Sequence, residues 1–150
     1  AFVGALPPLI GSVAASNSIG MGDWVLAGIM FIWQIPHFLA LAWMYKEDYD
    51  LGGFKMLPAF DATGELTARV SVMTSVCLIP LALMMTIANS TGILFAIFGA
   101  ILGGYMTIKS IAFWMKRDCD SAKHLFFASI IYLPLLLAIM LFDRQTIQFI

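Results

Sequence analysis

Apolar positions crowd this chain in four long stretches, approximately residues 24–45, 70–88, 92–115 and 125–142, and the polar residues collect in short segments between them. Each stretch suits a membrane crossing, since a hydrocarbon core of about 30 Å takes roughly 20 helical residues at about 1.5 Å each. A fifth apolar run, residues 2–15, is too short to span alone and reads as a helix cut at its start, interrupted by Pro7, Pro8 and Gly11. Such interruptions are tolerated in a bilayer only where neighbouring protein satisfies the freed backbone groups. Pro36, Pro80 and Pro134 fall inside three of the long stretches. Each is expected to kink its helix, because proline removes one intrahelical hydrogen bond and clashes with the preceding turn. The pattern predicts an all-α, polytopic transmembrane bundle of about five helices, in a single domain without an internal repeat.

Composition strengthens that reading. The chain is 61% hydrophobic and only 11% charged, with a mean hydropathy of +0.93, whereas soluble domains carry about 25% charged residues. A chain of this size cannot hide so much apolar surface from water, so the surplus faces lipid. A net charge of −1 gives no sign of a nucleic-acid partner. Cys77 and Cys119 lack CxxC spacing and read as ordinary thiols. Ala1 opens inside an apolar run with no charged region before it, which is not a signal peptide and suggests a start part-way through a longer protein.

Charge distribution adds an orientation. Segments 46–69 and 116–124 contain Lys46, Lys55, Arg69, Lys116, Arg117 and Lys123, six of the eight basic residues, while segment 17–23 has none. With alternating spans the two basic segments share a face, which the positive-inside rule assigns to the cytoplasm. Lys109 lies near the same end, within snorkelling reach of it, and Arg144 falls on the opposite side.

Two regions carry candidate chemistry. Trp33-Gln34-Ile35-Pro36-His37-Phe38 places strongly polar groups at membrane depth, where they mark either a functional site or a helix-to-helix hydrogen bond. Gln34 and His37 lie on roughly one helical face, as do Trp33 and His37. His37 precedes Lys46 by nine residues, about 13 Å along a helix. The second region runs from Tyr45 to Pro58 and holds Glu47, Asp48 and Asp50 with Lys46 and Lys55. Carboxylates there suit Mg²⁺, which is often held by one or two of them plus substrate phosphates, and lysines suit the phosphates. Gly52-Gly53 permits a tight turn beside a ligand. A solvated loop of mixed charge is the plainer alternative. Segment 116–124 reads chiefly as a positive-inside loop, although its basic groups also suit an anionic substrate.

These residues resemble a known family. Gly4-Ala5-Leu6-Pro7-Pro8-Leu9-Ile10-Gly11, Trp33 to Phe38, Lys46-Glu47-Asp48-Tyr49, Gly53 to Pro58 and Leu125 to Leu133 match, in order and separation, the protoheme IX farnesyltransferases (haem O synthases) of the UbiA-type intramembrane prenyltransferases. The resemblance covers essentially the whole chain. It departs from the superfamily's plainer D-x-x-x-D, since Gly52 stands four residues after Asp48. It implies the C-terminal half of a nine-helix bundle in the bacterial cytoplasmic membrane, with its active-site loops facing the cytoplasm. The implied reaction joins farnesyl from farnesyl diphosphate to the 2-vinyl group of haem B, with Mg²⁺ as cofactor, water supplying a hydroxyl and diphosphate leaving. The implied roles are Asp48, supported by Glu47, at the acidic site, with Asp48 and Asp50 reaching Mg²⁺ through the diphosphate. Lys46 and Lys55 would neutralise that diphosphate, and His37, Gln34 and Trp33 would contact haem, His37 as an iron-ligand candidate. The lipid bilayer is the solvent, and haem A synthase is a candidate partner. The family's first Asp-rich motif is not in this sequence, so the chain alone is expected to be inactive. Rival readings are a quinone or chlorophyllide prenyltransferase, a haem-binding electron-transfer bundle, and half of a transporter with broken helices.

Overall fold

The computed structural model describes residues 2–53, 56–61 and 63–143. Seven helices follow one another: α1 (Phe2–Ser16), α2 (Met21–Met44), α3 (Lys46–Leu51), α4 (Leu57–Phe60), α5 (Glu65–Ile87), α6 (Ile93–Lys116) and α7 (Cys119–Phe142), with no strand among the described residues. Helices α2, α5, α6 and α7 are long and apolar enough to cross a membrane. The protein is a polytopic helical bundle. Pro7, Pro8, Pro36, Pro80 and Pro134 all lie within helices that continue through them.

Two helices begin well before the apolar stretches do. Helix α5 starts at Glu65, where the Thr67 N–H donates to Asp61 Oδ2 at 2.8 Å. Helix α7 starts at Cys119, where the N-cap Asp118 Oδ1 accepts from the Ser121 N–H at 2.8 Å. A first helical turn has unpaired N–H groups, and a side-chain acceptor there lets the helix extend past its apolar face into the polar interface. Local capping thus sets the ends that hydropathy leaves vague. The segment after α2, which the sequence reads as a loop, contains two short helices. It forms α3, which closes with the Gly52 N–H on Asp48 O at 3.0 Å and with Gly53 at φ +71°, and then the short α4.

Helix α2 is central, packing against α1, α5 and α7, while α5 pairs with α6 and α6 with α7. The interior is filled by fully buried Ile29, Leu78, Phe95, Phe113, Leu125 and Tyr132. Met73, Leu83, Ile97, Ile101 and Ile108 point outward as exposed apolar side chains, the surface lipid would cover. The α5–α6 contact is close because α6 offers glycine where α5 crosses. A Cβ on Gly99 would lie 2.7 Å from Ala82 Cβ, and one on Gly103 would lie 2.8 Å from Ile79 Cγ1. Small residues four apart let backbones approach where lipid supplies no hydrophobic drive for association. Ser75 and Ser110 add a buried hydroxyl pair at 2.7 Å across the same interface.

The bundle has two distinct ends. At one, Asp143 ties the finish of α7 to the start of α6, accepting from the Phe95 N–H at 2.7 Å while the Gly92 N–H donates to Asp143 O at 2.9 Å. At the other, the α2–α3 junction meets the α6–α7 turn around one cavity. Helix α1 lies on α2 where Gly4 meets the Gln34 amide, which a Cβ would approach to 2.8 Å.

Candidate active site at the charged end of the bundle

Helix α2 leaves its apolar stretch at Trp43-Met44-Tyr45, and Lys46, Glu47 and Asp48 form the first turn of α3. These six residues line a cavity of about 570 Å³ together with Arg117, Asp118 and Cys119 from the α6–α7 turn. The two segments lie about seventy residues apart in sequence, and the antiparallel run of α2, α5, α6 and α7 brings them together. Asp48 also lines a smaller hollow of about 300 Å³ with Leu41, Tyr45, Tyr49 and Gly52. The larger cavity therefore carries two cations, Lys46 and Arg117, against three carboxylates, Glu47, Asp48 and Asp118. Trp43 and Tyr45 add two aromatic rings to its lining.

Lys46 is held in place from two sides. Its ammonium lies 5.2 Å from the Trp43 ring centroid and donates to Asp61 O at 3.3 Å. Trp43 meets Phe113 edge-on at 5.9 Å. Gly64 packs beneath the Trp43 ring so closely that a Cβ there would lie 2.5 Å from ring carbon Cη2. Asp61 organises the corner, with Oδ1 accepting from Thr63 Oγ1 at 3.2 Å and Oδ2 capping α5. Partial desolvation pushes the Asp61 carboxyl up, but hydrogen bonds from Thr67, Thr63 and Gly64 outweigh it and hold the group below the usual carboxylate range. Asp118 is likewise held low, by its bonds from Ser121.

Arg117 owes its position to a backbone reversal. It adopts a left-handed conformation at φ 54°, ends α6 through a 2.7 Å bond from its N–H to Phe113 O, and hands directly to the Asp118 cap of α7. The turn between α6 and α7 is two residues long, Arg117 and Asp118, and both line the cavity. In the sequence, 116–124 reads chiefly as a positive-inside loop whose basic groups, Arg117 among them, also suit an anionic substrate, while Asp118 and Asp61 carry no site role. The pairing of loops is a property of the packed bundle. For Asp61 a local signal existed, in the D-x-T-G-E approach to an apolar helix.

The other predicted residues divide. His37 is half-buried between two aromatic faces, stacked at 5.0 Å on Trp33 and at 4.8 Å on Phe126, with Phe38 edge-on at 5.4 Å. Its Nδ1 lies 2.7 Å from Ser129 Oγ, and the Trp33 indole N–H donates to Ser129 O at 2.9 Å. Gln34 turns elsewhere. It is buried toward α1, and its amide donates to Met30 O at 3.1 Å. Asp50 is exposed and lines neither cavity. Lys55 lies outside the described residues. Among the described residues, no three His, Cys, Asp or Glu side chains gather as an all-protein metal cage. One or two carboxylates are nevertheless what Mg²⁺ uses when substrate oxygens complete its shell, and Glu47 with Asp48 in the cavity lining fits that demand.

An apolar helical bundle with four membrane-length helices, a mixed-charge cavity at one end and a histidine stacked between two aromatic rings defines an integral membrane protein. Residues 1–131 match the UbiA prenyltransferase family, and the chain belongs to that family. It is 38% identical over 144 residues to a protoheme IX farnesyltransferase of Solibacter usitatus, covering 96% of this chain and 49% of the relative. It is 39% identical over 145 residues to one of Opitutus terrae, again covering 96% of this chain and 49% of the relative. The human mitochondrial protoheme IX farnesyltransferase is 36% identical over 141 residues, which are 94% of this chain and 31% of that protein. The chain thus spans about half the length of the bacterial relatives it matches. No solved structure matches it.

Proposed function

We propose that this chain, within a protein of its relatives' length, helps to transfer a farnesyl group from farnesyl diphosphate to the 2-vinyl group of haem B, forming haem O. The observation that carries this reading is the juxtaposition along α2 of two unlike sites: a charged cavity at the mouth and an aromatic-caged histidine about 13 Å deeper. The first suits a diphosphate, the second a flat aromatic macrocycle.

In the reaction the allylic C–O bond breaks, farnesyl C1 joins the terminal vinyl carbon, and water adds to the neighbouring carbon with loss of a proton. The diphosphate leaves with its bonding electrons, so the site must stabilise growing negative charge. Lys46 and Arg117 face that demand at the cavity wall. Mg²⁺ held by Asp48, with Glu47 in support, would supply further charge neutralisation when bound. Trp43 and Met44 give the cavity an apolar wall beside Lys46, which limits water around the departing diphosphate. Lower in the bundle, His37 has both ring faces covered by Trp33 and Phe126, so what it offers haem is an imidazole nitrogen for the iron. The charged mouth faces the cytoplasm of a bacterial inner membrane, as the excess of Lys and Arg on that face supports.

The test is conversion of haem B to haem O by the natural gene product in membranes supplied with farnesyl diphosphate and Mg²⁺, beside an Asp48→Asn variant. Haem O from the first and none from the folded variant would support both the reaction and the acidic site. No haem O from a folded, haem-binding parent would refute the substrate assignment.

A further inference from the structure

The deeper site contains a hydroxyl whose proton has only one place to go. Ser129 Oγ lies 2.6 Å from Phe126 O, one turn earlier on α7, and 2.7 Å from His37 Nδ1 on α2. Two oxygens at 2.6 Å without a hydrogen between them would set lone pair against lone pair, so the hydroxyl proton is committed to Phe126 O. Serine has one proton and two lone pairs. Towards His37 it is therefore an acceptor, and the ring must donate from Nδ1.

We propose that Ser129 is a positioning residue that fixes His37 as the Nδ1–H tautomer, with the Nε2 lone pair free to meet the haem substrate. A neutral imidazole that carries its proton on Nδ1 keeps its lone pair on Nε2. Among the described residues Nε2 has no hydrogen-bond partner. Rotation of the ring is blocked on both faces, by Trp33 at 5.0 Å and Phe126 at 4.8 Å, in planes inclined by 19° and 22°. Trp33 is itself pinned to the same residue, donating to Ser129 O at 2.9 Å. One serine thus holds the histidine through its hydroxyl and the flanking indole through its carbonyl. Ser129 is fully buried, so no water competes for either bond. Imidazoles that bind metal commonly have their other N–H held by an oxygen acceptor such as a carboxylate, carbonyl or water, which sets tautomer and ring orientation together, and the Ser129 hydroxyl stands in that place here. The identity of the ligand rests on the function proposed above, but the tautomer does not.

The experiment uses the natural gene product, labelled with ¹⁵N-histidine, in lipid nanodiscs without substrate, His37→Gln serving to assign the signal. Nitrogen shifts separate the two neutral tautomers. The wild type and Ser129→Thr, which keeps the hydroxyl, should show His37 as Nδ1–H, and Ser129→Ala should show a mixture or the Nε2–H form. Haem B is then titrated into each. Ser129→Ala should weaken binding by about tenfold or more and alter the absorption band that ligation produces, and Ser129→Thr should restore both. An Nε2–H ring in the wild type, or a Ser129→Ala protein with the wild-type tautomer and haem spectrum, would overturn the proposal. Failure to form haem O with the tautomer result intact would count against the proposed reaction alone.

Discussion

Gly64→Ala is expected to damage both the fold and the mouth of the cavity, and the size of the effect can be worked from two glycines. Gly64 and Gly53 share the same left-handed backbone, each with φ +71°. For a residue with a Cβ that conformation costs about 1–2 kcal/mol. Their surroundings differ completely. A Cβ at Gly53 meets nothing within 4 Å, whereas at Gly64 it would lie 2.5, 2.9 and 3.0 Å from three carbons of the Trp43 ring. Overpacking of that kind costs about 1–3 kcal/mol beyond the backbone term. Gly53→Ala should therefore destabilise by about 1–2 kcal/mol and Gly64→Ala by about 2–5 kcal/mol. Displacing Trp43 also disturbs Lys46, whose ammonium rests 5.2 Å from that ring. Gly64→Ala should then raise KM for the prenyl diphosphate as well as lower stability, while Gly53→Ala should leave KM nearly unchanged. Denaturation in a fixed detergent gives the stabilities, and steady-state kinetics in membranes gives KM. Equal destabilisation by the two substitutions would mean that Trp43 does not press on Gly64, and the account of how Lys46 is held would fall with it.

Arg117→Gly separates charge from backbone, because glycine adopts the left-handed turn freely. Stability should hold or rise by about 1 kcal/mol as the backbone penalty is lifted, while KM for the prenyl diphosphate rises at least severalfold. An unchanged KM would remove Arg117 from the site. Asp61→Ala deprives the buried Thr67 N–H of its acceptor and should cost about 1–3 kcal/mol. The carboxyl of Asp61 is held below its ordinary value, so its contribution is fully present above the unfolded-state value of about 3.9. That contribution fades as pH falls through the lower folded-state value. Stability of the wild type relative to Asp61→Ala, followed from neutral pH downward, should converge only in that acid window. Convergence near neutral pH would contradict the hydrogen-bond geometry.

Much of this protein was legible in the one-dimensional pattern. Long apolar stretches can be only buried or lipid-facing, and in lipid every backbone group must be satisfied internally, so the stretches had to be helices. Basic residues concentrated in two segments placed those segments at one end. The Trp33–His37 and Lys46–Asp48 blocks stand out in the sequence because polar groups at membrane depth are costly and carboxylates cluster at an interface. Helix ends were less legible. The Asp118 cap and the Asp61 contact extend α7 and α5 beyond their apolar windows, and a hydropathy window does not register a single hydrogen bond.

By itself the sequence determined what each segment must bury and which residues had no ordinary reason to be where they are, since hydropathy and charge are local properties of the chain. Only the tertiary structure decided which of those residues meet. It brought Arg117 and Asp118 to the cavity of Lys46 and Asp48, turned Gln34 towards Gly4 and away from His37, and set Ser129 against the His37 ring. Each pairing depends on the crossing and rotation of whole helices. Close contacts such as Gly99 on Ala82 and Gly103 on Ile79 help to set those angles through packing between segments, and no single segment encodes them.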